Sequence, residues 1–486
     1  MKHTTWHFWQ VFLCLFLFLN CGSFRILSQE HPNIVVFIAD DAGMAFGCYG
    51  YPGATTPHID QLAEDGLLCK NAFLTAPQCS PSRSSMLAGQ FAHTIGTEDL
   101  HTGINDTTRL LPSYLKEAGY FTGLMLKGHV GKHGMQQFDW YDQGFWPDYA
   151  RDGIWNEKAV DNFASFLNEA NNRPFFLWVG FVDPHRAYRE DPVEGNRAPE
   201  INDPAKVTVP PYLVDAPATR QDLAHYYDEI TRMDAHIGDM MEQLEAQNLL
   251  DNTLVIFLSD NGKPFPRAKG TLYDSGLHTP LIFSWKGKIK AGTTYQPLVS
   301  TIDLAPTLLD IAGIDTPKNM YGKSIAPIFS DQQLNGREYV FAERNWHGTD
   351  EHMRSIRSEE YLLVLNAYTH LPHGTPSEIS QCPSWYDLKK GQTVGNLTTG
   401  QAWLFRTPRY QIELYDVKQD PHQLNNLSGN PKYLEISDKL TQELVTWMKE
   451  TRDHPPHQRR RTDIVDRISG FSIKGDRKFF EGYWEE

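Results

Sequence analysis

The chain has 486 residues, 40% of them hydrophobic and 12% aromatic, enough apolar side chain for a large core; this excludes intrinsic disorder, and the length calls for one large domain plus a smaller one. A formal net charge of −15 excludes a general polyanion-binding surface, so no nucleic-acid partner is expected. An anionic substrate would need positive charge gathered in one pocket.

Lys2 precedes the apolar run Val11–Leu19, which is too short to span a bilayer, so residues 1–28 read as a signal peptide cleaved near Ser28. A lipid anchor at Cys21 is disfavoured by Asn20 before it. No later stretch reads as a membrane span, and the expectation is an exported protein, periplasmic or secreted, without stable membrane insertion. Cys48, Cys69, Cys79 and Cys382 remain, too few for a disulfide framework; Cys48 and Cys69 read either as a pair or as two buried thiols.

Asn33–Ala39 is an apolar, β-branched run of the kind buried on both faces of an α/β sheet, and it ends on Asp40-Asp41. Adjacent carboxylates at such a strand end repel unless a cation holds them, although plain strand-end capping accounts for an isolated pair equally well. Thr56-Pro57 opens a scaffold helix with Thr56 as cap. Further on, Pro81 favours a helix start, residues to Ala88 tolerate helix and Gly89 stops it. Cys79 is therefore expected at a helix N-terminus, where an anion is favoured, with Arg83 one turn on along the same face. Taken alone, Cys79 reads equally well as a low-pKa thiol or a buried structural cysteine.

Leu111–Tyr120 is a short amphipathic helix closed by Gly119, and a strand from Thr122 to Leu126 delivers Lys127-Gly128-His129. Alternation puts the ammonium and the imidazole on one side, with a solvated loop as the competing reading. Pro174–Val182 is a second fully apolar strand, running into Asp183-Pro184-His185-Arg186. The Pro- and acid-rich stretch from Ala187 to Pro217 suits a pocket wall, and the helix from about Arg220 carries a core stripe from Leu223 to Leu244. Thr253–Ser259 is a third buried strand, ending in Asp260-Asn261-Gly262, with Lys269 beyond it. After about Arg337 the strands shorten: Tyr339–Ala342, Met353–Ile356, Tyr361–Leu365 and Glu413–Asp416. A helix from Tyr433 to Lys449 is expected to pack on them through Leu434, Leu440, Leu444 and Trp447.

Cys79-Ser80-Pro81-Ser82-Arg83 resembles the signature of the type I sulfatases, and Asp40-Asp41, Lys127-Gly128-His129, Asp183-Pro184-His185-Arg186 and Ser259-Asp260-Asn261-Gly262 resemble that family's other motifs. The likeness runs from Asn33 to about Lys449. Strand patterns and resemblance together imply an α/β fold of the alkaline-phosphatase-like superfold. Residues 29–336 would hold a large mixed, mostly parallel central sheet flanked by helices, and residues 337–486 a smaller antiparallel sheet plus helix and a tail. The resemblance further implies that a formylglycine-generating maturation enzyme oxidises Cys79 to formylglycine (3-oxoalanine), whose hydrate attacks sulfur. Asp40, Asp41, Asp260, Asn261 and the converted Cys79 would ligate a divalent cation, and hard oxygen donors suit Ca²⁺, or less well Mg²⁺. Arg83 would stabilise the nucleophile, Lys127, His185 and Lys269 would bind the sulfuryl oxygens and protonate the leaving group, and His129 would act as base.

Within the family, Lys127–Gly131, Pro264-Phe265-Pro266 and Met353-Arg354-Ser355 resemble the N-sulfoglucosamine sulfohydrolases, a branch whose bacterial relatives degrade algal polysaccharides such as ulvan. A sulfated carbohydrate is thus the implied substrate. Two positions depart from the pattern: Leu126 stands where a glycine usually precedes the lysine, and Lys269 stands where an arginine is found in that branch. Arg186, Glu343, Arg344, His347, His352 and Arg354 are candidates for the sugar pocket, surface ion pairing being the alternative. The competing functions are a phosphodiesterase or phosphonate hydrolase of the same superfold, and a non-catalytic sulfated-glycan-binding protein in which Cys79 stays a thiol.

Overall fold

Eight strands form the larger sheet: β1 (Asn33–Ala39), β2 (Leu67–Phe73), β3 (Phe121–Leu126), β4 (Trp140–Tyr141), β5 (Phe175–Gly180), β6 (Thr253–Ser259), β7 (His278–Ser284) and β8 (Thr293–Ser300), in the order β4-β3-β5-β1-β6-β7-β2-β8. The computed structural model describes residues 31–51, 53–100, 102–142, 158–188, 202–330 and 334–453. The signal-peptide reading, part of the expected pocket wall and the C-terminal tail lie outside them. Only β7 runs against its neighbours, so the sheet is mixed and mostly parallel as expected. Every residue of β1, β5 and β6 is buried, which explains why these strands read as unbroken apolar runs: helices cover both faces of a parallel sheet.

The register sets up the site. Ala39 lies opposite Ser259, Ile38 opposite Gly180, and Gly180 opposite Leu126, so β3, β5, β1 and β6 end level with one another. The ladder continues one residue further, with Lys127 N–H donating to Gly180 O (2.8 Å), Phe181 to Ile38 O (2.9 Å) and Asp260 to Ala39 O (3.0 Å). Asp40 N–H donates to Asp183 O at 3.1 Å. Four neighbouring strands thus present their polar ends along one line, the usual ligand edge of such sheets.

Helix α1 (Pro57–Glu64) starts as expected at Pro57, but Thr56 makes no side-chain cap; its hydroxyl accepts from Gly47 N–H and donates to Asp60 instead. Helix α2 (Cys79–Ala88) begins at Cys79 and ends where Gly89, at φ 64°, donates its N–H to Ser85 O. The long α3 (Pro217–Ala246) buries the expected stripe from Leu223 to Leu244, except that Met241 is only partly covered, and it also buries Asp222, Glu229 and Asp234.

The second sheet is antiparallel, ordered β12-β11-β10-β9 from β9 (Val340–Trp346), β10 (Asp350–Arg357), β11 (Tyr361–Asn366) and β12 (Ile412–Asp416). Helix α4 (Leu434–Glu450) closes it with Leu440, Leu444 and Trp447 packed among Ile356, Leu363 and Leu414, while Phe91 and Ile302 join this cluster from the other sheet's side. Leu434, expected in that contact, is 49% exposed: it is the first residue of the helix, outside the buried stripe. The described residues from Pro32 onward form one compact unit. Cys48 and Cys69 are both free thiols, and no helix among the described residues is long and apolar enough to cross a membrane.

Candidate active site

Asp40, Asp41, Asp260 and Asn261, delivered by the ends of β1 and β6, are all wholly buried, and ligating atoms of Asp40, Asp41, Asp260 and Cys79 lie within 4.8 Å of one another. Cys79 Sγ is 3.4 Å from Asp40 Oδ1 and 3.7 Å from Asn261 Nδ2. Three cations compensate the carboxylates. Arg83 Nε donates to Asp260 Oδ2 at 2.7 Å, Lys269 Nζ to Asp41 Oδ2 at 2.9 Å, and Lys127 Nζ to Asp40 Oδ2, with Lys127 Nζ also 3.6 Å from Cys79 Sγ. Arg83 reaches across the end of β5 to donate to Lys127 O at 2.6 Å. That path requires Gly180, where a Cβ would stand 2.0 Å from Lys127 O and 2.6 Å from Arg83 Nη1.

The charges are set by burial and by each other. Burial alone would raise Asp40, but Lys127, His185, Arg83 and Lys269 outweigh it and hold the carboxyl far below its ordinary value. Asp41 and Asp260 go the other way, raised by burial and by the neighbouring carboxylates. Burial and Asp40 also push the Cys79 thiol well up, so the reading of Cys79 as a low-pKa thiol is corrected: the helix N-terminus does not outweigh desolvation beside three carboxylates. Lys127 and Lys269 are kept charged, since Asp40 and Asp41 respectively overcome the cost of burying them.

These residues fit a divalent cation. Asp41 Oδ1 and Asn261 Oδ1 are buried without a hydrogen-bond partner and belong to a set of hard oxygen donors, whose mutual repulsion a cation would relieve.

His185 follows β5, half-buried, its Nε2 4.0 Å from Asp41 Oδ2 and its Nδ1 2.5 Å from Arg186 O. Burial, Lys269 and Lys127 lower its pKa to about 3, so it stands neutral. Its loop is held from α3 at two points: Arg232 pairs with Asp183 (2.7 and 2.9 Å), and Asp222 receives both Arg186 Nη groups (2.6 and 2.8 Å). Neither anchor was visible in the sequence, because nothing in the α3 stripe marks Asp222 or Arg232 as facing a loop. His129 lies two residues past Lys127, half-buried at φ 52°.

The sugar-pocket candidates separate. Arg186 pairs with Asp222 and donates to Pro264 O, which makes it an anchor of the loop. Glu343 receives His93 Nδ1 at 2.8 Å, and Arg354 pairs with Asp453 at 2.6 Å, so both take part in a buried network. Arg344 is buried and spans Gly270 O and Gly374 O, bracing the turn that carries Lys269. His352 is a buried residue of β10. His347 reaches the centre's edge, its Nε2 3.5 Å from Glu378 Oε1, and Glu378 in turn lies 3.1 Å from Lys269 Nζ. Glu378 went unnoticed in the sequence, lying in a loop with no motif around it.

Residues 32–314 match the family model described as "Sulfatase", and residues 267–372 that described as "N-sulphoglucosamine sulphohydrolase, C-terminal". The chain is 33% identical to human N-sulphoglucosamine sulphohydrolase over 90% of this chain and 94% of that protein. It is 29% identical to an ulvan-active sulfatase of Formosa agariphila over 86% of this chain and 75% of that one. Among solved structures, one in complex with its substrate D-glucosamine-2-N,6-O-disulfate has a TM-score of 0.68 at 21% identity, covering 88% of this chain and all of that chain. The fold is shared with a phosphonate monoester hydrolase of Agrobacterium radiobacter, with a TM-score of 0.65 at 17% identity, over 86% of this chain and 96% of that one. The buried carboxylates, the cations that balance them and a cysteine opening the helix beside them are therefore held in a sulfatase fold, and the chain belongs to the sulfatase family, hydrolases of sulfuric esters and sulfamates.

Proposed function

We propose that this sulfatase removes sulfate from sulfated carbohydrates, N-sulfoglucosamine-type or O-sulfated sugars of polysaccharides of the glycosaminoglycan or ulvan kind, acting after export to the periplasm or medium. The observation that carries the reading is the convergence on Cys79 Sγ of carboxylates from the ends of β1 and β6 and of Lys127 from the end of β3. Asp40, Asp41, Asp260, Asn261 and residue 79 would hold Ca²⁺, and a maturation enzyme would convert Cys79 to formylglycine. When present, the two supply a Lewis acid and a nucleophilic hydroxyl.

The chain's own residues do the rest. Arg83, wholly buried and fixed by Asp260 and Lys127 O, holds a permanent positive charge beside residue 79. Lys127 and Lys269 bind the sulfuryl oxygens from two sides and orient sulfur toward that residue. The charged Lys127 and Lys269, with the neutral His185 facing the same cluster, would supply the leaving group's proton, and His129 would serve as base when sulfate departs.

The test is release of free sulfate from a panel of sulfated sugars by protein co-expressed with a maturation system, alongside mass spectrometry of the peptide bearing Cys79. An intact thiol in fully active protein would sink the proposed nucleophile. Faster turnover of phosphate or phosphonate esters than of sulfate esters would favour the phosphonate-hydrolase reading that the shared fold keeps open.

A further inference from the structure

Among the described residues, the centre is ringed by cations that suit any sulfate: Arg83, Lys127 and Lys269. Glu378 breaks this pattern. Its side chain is 21% exposed, whereas Asp40, Asp41 and Asp260 are wholly buried, so it stands on the open side of Lys269 rather than within the strand-end cluster. A carboxylate there opposes the binding of an anion, a cost that needs a purpose.

The geometry supplies one. Both close nitrogen contacts, the Lys269 ammonium at 3.1 Å and His347 Nε2 at 3.5 Å, fall on Oε1. Among the described residues, Oε2 meets only the exposed Ser377 hydroxyl at 3.5 Å. One oxygen is thus spent on orienting the group, and the other keeps its acceptor capacity. The carboxylate is also held rigidly. Ile379, wholly buried, and Ser380 both donate their N–H groups to Pro376 O (3.1 and 2.9 Å), closing the turn that presents Glu378. Pro376 rests against Gly270, and Arg344 ties Gly270 O to Gly374 O, so the Glu378 turn and the Lys269 turn are braced as a single frame.

We propose that Glu378 is the specificity-determining residue of this site: its Oε2 accepts a hydrogen bond from an N–H or hydroxyl of the sugar beside the scissile sulfuryl group. The same charge rejects a second anionic substituent at that place. The inference rests on the sulfatase reading of the centre and deepens it, since the cations recognise sulfate and Glu378 recognises what carries it. A fixed acceptor of this kind discriminates strongly, because a substrate lacking the donor leaves a desolvated carboxylate unpaired.

The test measures binding by calorimetry in a Cys79→Ser background, where nothing turns over, with N-sulfoglucosamine and inorganic sulfate as probes. Glu378→Ala should weaken N-sulfoglucosamine about tenfold or more, the loss expected for a hydrogen bond to a charged group. Inorganic sulfate should bind equally well or more tightly, because Lys269 loses a competing anion. Glu378→Gln, which keeps the shape and an acceptor oxygen, should fall between parent and Ala for the sugar. Equal weakening of both probes, or unchanged sugar affinity, would overturn the proposal, since a residue that merely holds Lys269 in place moves both together. Background protein that binds sulfate but not N-sulfoglucosamine also overturns it; protein that binds neither probe overturns the sulfatase reading of the centre instead. Thermal unfolding of each variant checks that the turn is intact.

Discussion

Glu343 offers a direct measurement of whether the β9 charges serve substrate or structure. Its carboxylate receives the backbone N–H of His93 (3.1 Å), His93 Nδ1 (2.8 Å) and Asn345 Nδ2 (3.0 Å). Arg354 donates to Asn345 Oδ1 at 3.1 Å and pairs with Asp453, extending the network to the chain beyond α4. Burial would raise Glu343, but His93 and Arg354 bring it from 4.5 down to about 2, a fall worth about 3 kcal/mol of folding free energy. The pair has two pH edges. The depressed carboxyl contributes stability above pH 4.5 that is lost as pH falls through about 2. His93 is desolvated, which would lower it, yet Glu343 and Asp453 raise it against the pull of Arg354; its contribution is complete below 6.5 and is lost as pH rises through the folded value. Glu343→Gln keeps the shape and removes the charge. Urea unfolding should show a loss of about 3 kcal/mol near pH 5.5 and a flatter stability profile at both ends, with kcat/KM for a sulfated sugar little changed. A variant within about 0.5 kcal/mol of the parent but with a raised KM would refute the structural assignment and return Glu343 to the sugar pocket.

Arg232→Met unpairs Asp183, which is buried two residues before His185; sulfate release should fall about tenfold through misplacement of that loop, and Arg232→Lys should recover part of it. Removal of divalent cations with a chelator should lower thermal stability, and free Ca²⁺ at a hundredfold excess over its Kd should restore about 2.7 kcal/mol in the parent but much less in Asp41→Asn, read by scanning calorimetry. Trp447→Ala empties the space where its ring stacks on Phe341 at a 5.1 Å centroid distance and should cost about 3–5 kcal/mol in chemical unfolding, while the buried carboxylate cluster on the other sheet should keep its geometry.

The parallel strands were legible in the sequence because burial on both faces writes itself as an unbroken apolar run, as in β1, β5 and β6. β2 was missed: Lys70 and Asn71 interrupt its apolar pattern at the irregularity in its pairing with β7 and β8. The helix Pro383–Val394 was missed for lack of periodicity, since it buries only Ser384, Leu388 and Gly391. Leu126 shows how a departure from a family pattern acquires a physical meaning. Its φ is 61°, a left-handed conformation that favours glycine, which accounts for the glycine usual at that place and for the tight delivery of Lys127 at the end of β3. Side chains that act through a partner, such as Asp222, Arg232 and Glu378, stayed invisible, because their meaning lies in what they touch and not in their neighbours along the chain.

The charge balance explains how so acidic a chain can handle an anion. Asp40, Asp41 and Asp260 each face a cation, Lys127, Lys269 and Arg83 respectively, so the acidic cluster is compensated from within. A divalent cation held there would add positive charge confined to a few ångströms, in a molecule whose formal charge is strongly negative. Long-range attraction is therefore not expected to gather substrate; on the proposed function, affinity would arise at contact with the buried Lys127 and Lys269. Salt should accordingly weaken substrate binding far less than it would for a protein with a basic surface. A polymer carrying many sulfates should gain little over a single sulfated sugar unit, because the negative exterior opposes its remaining charges.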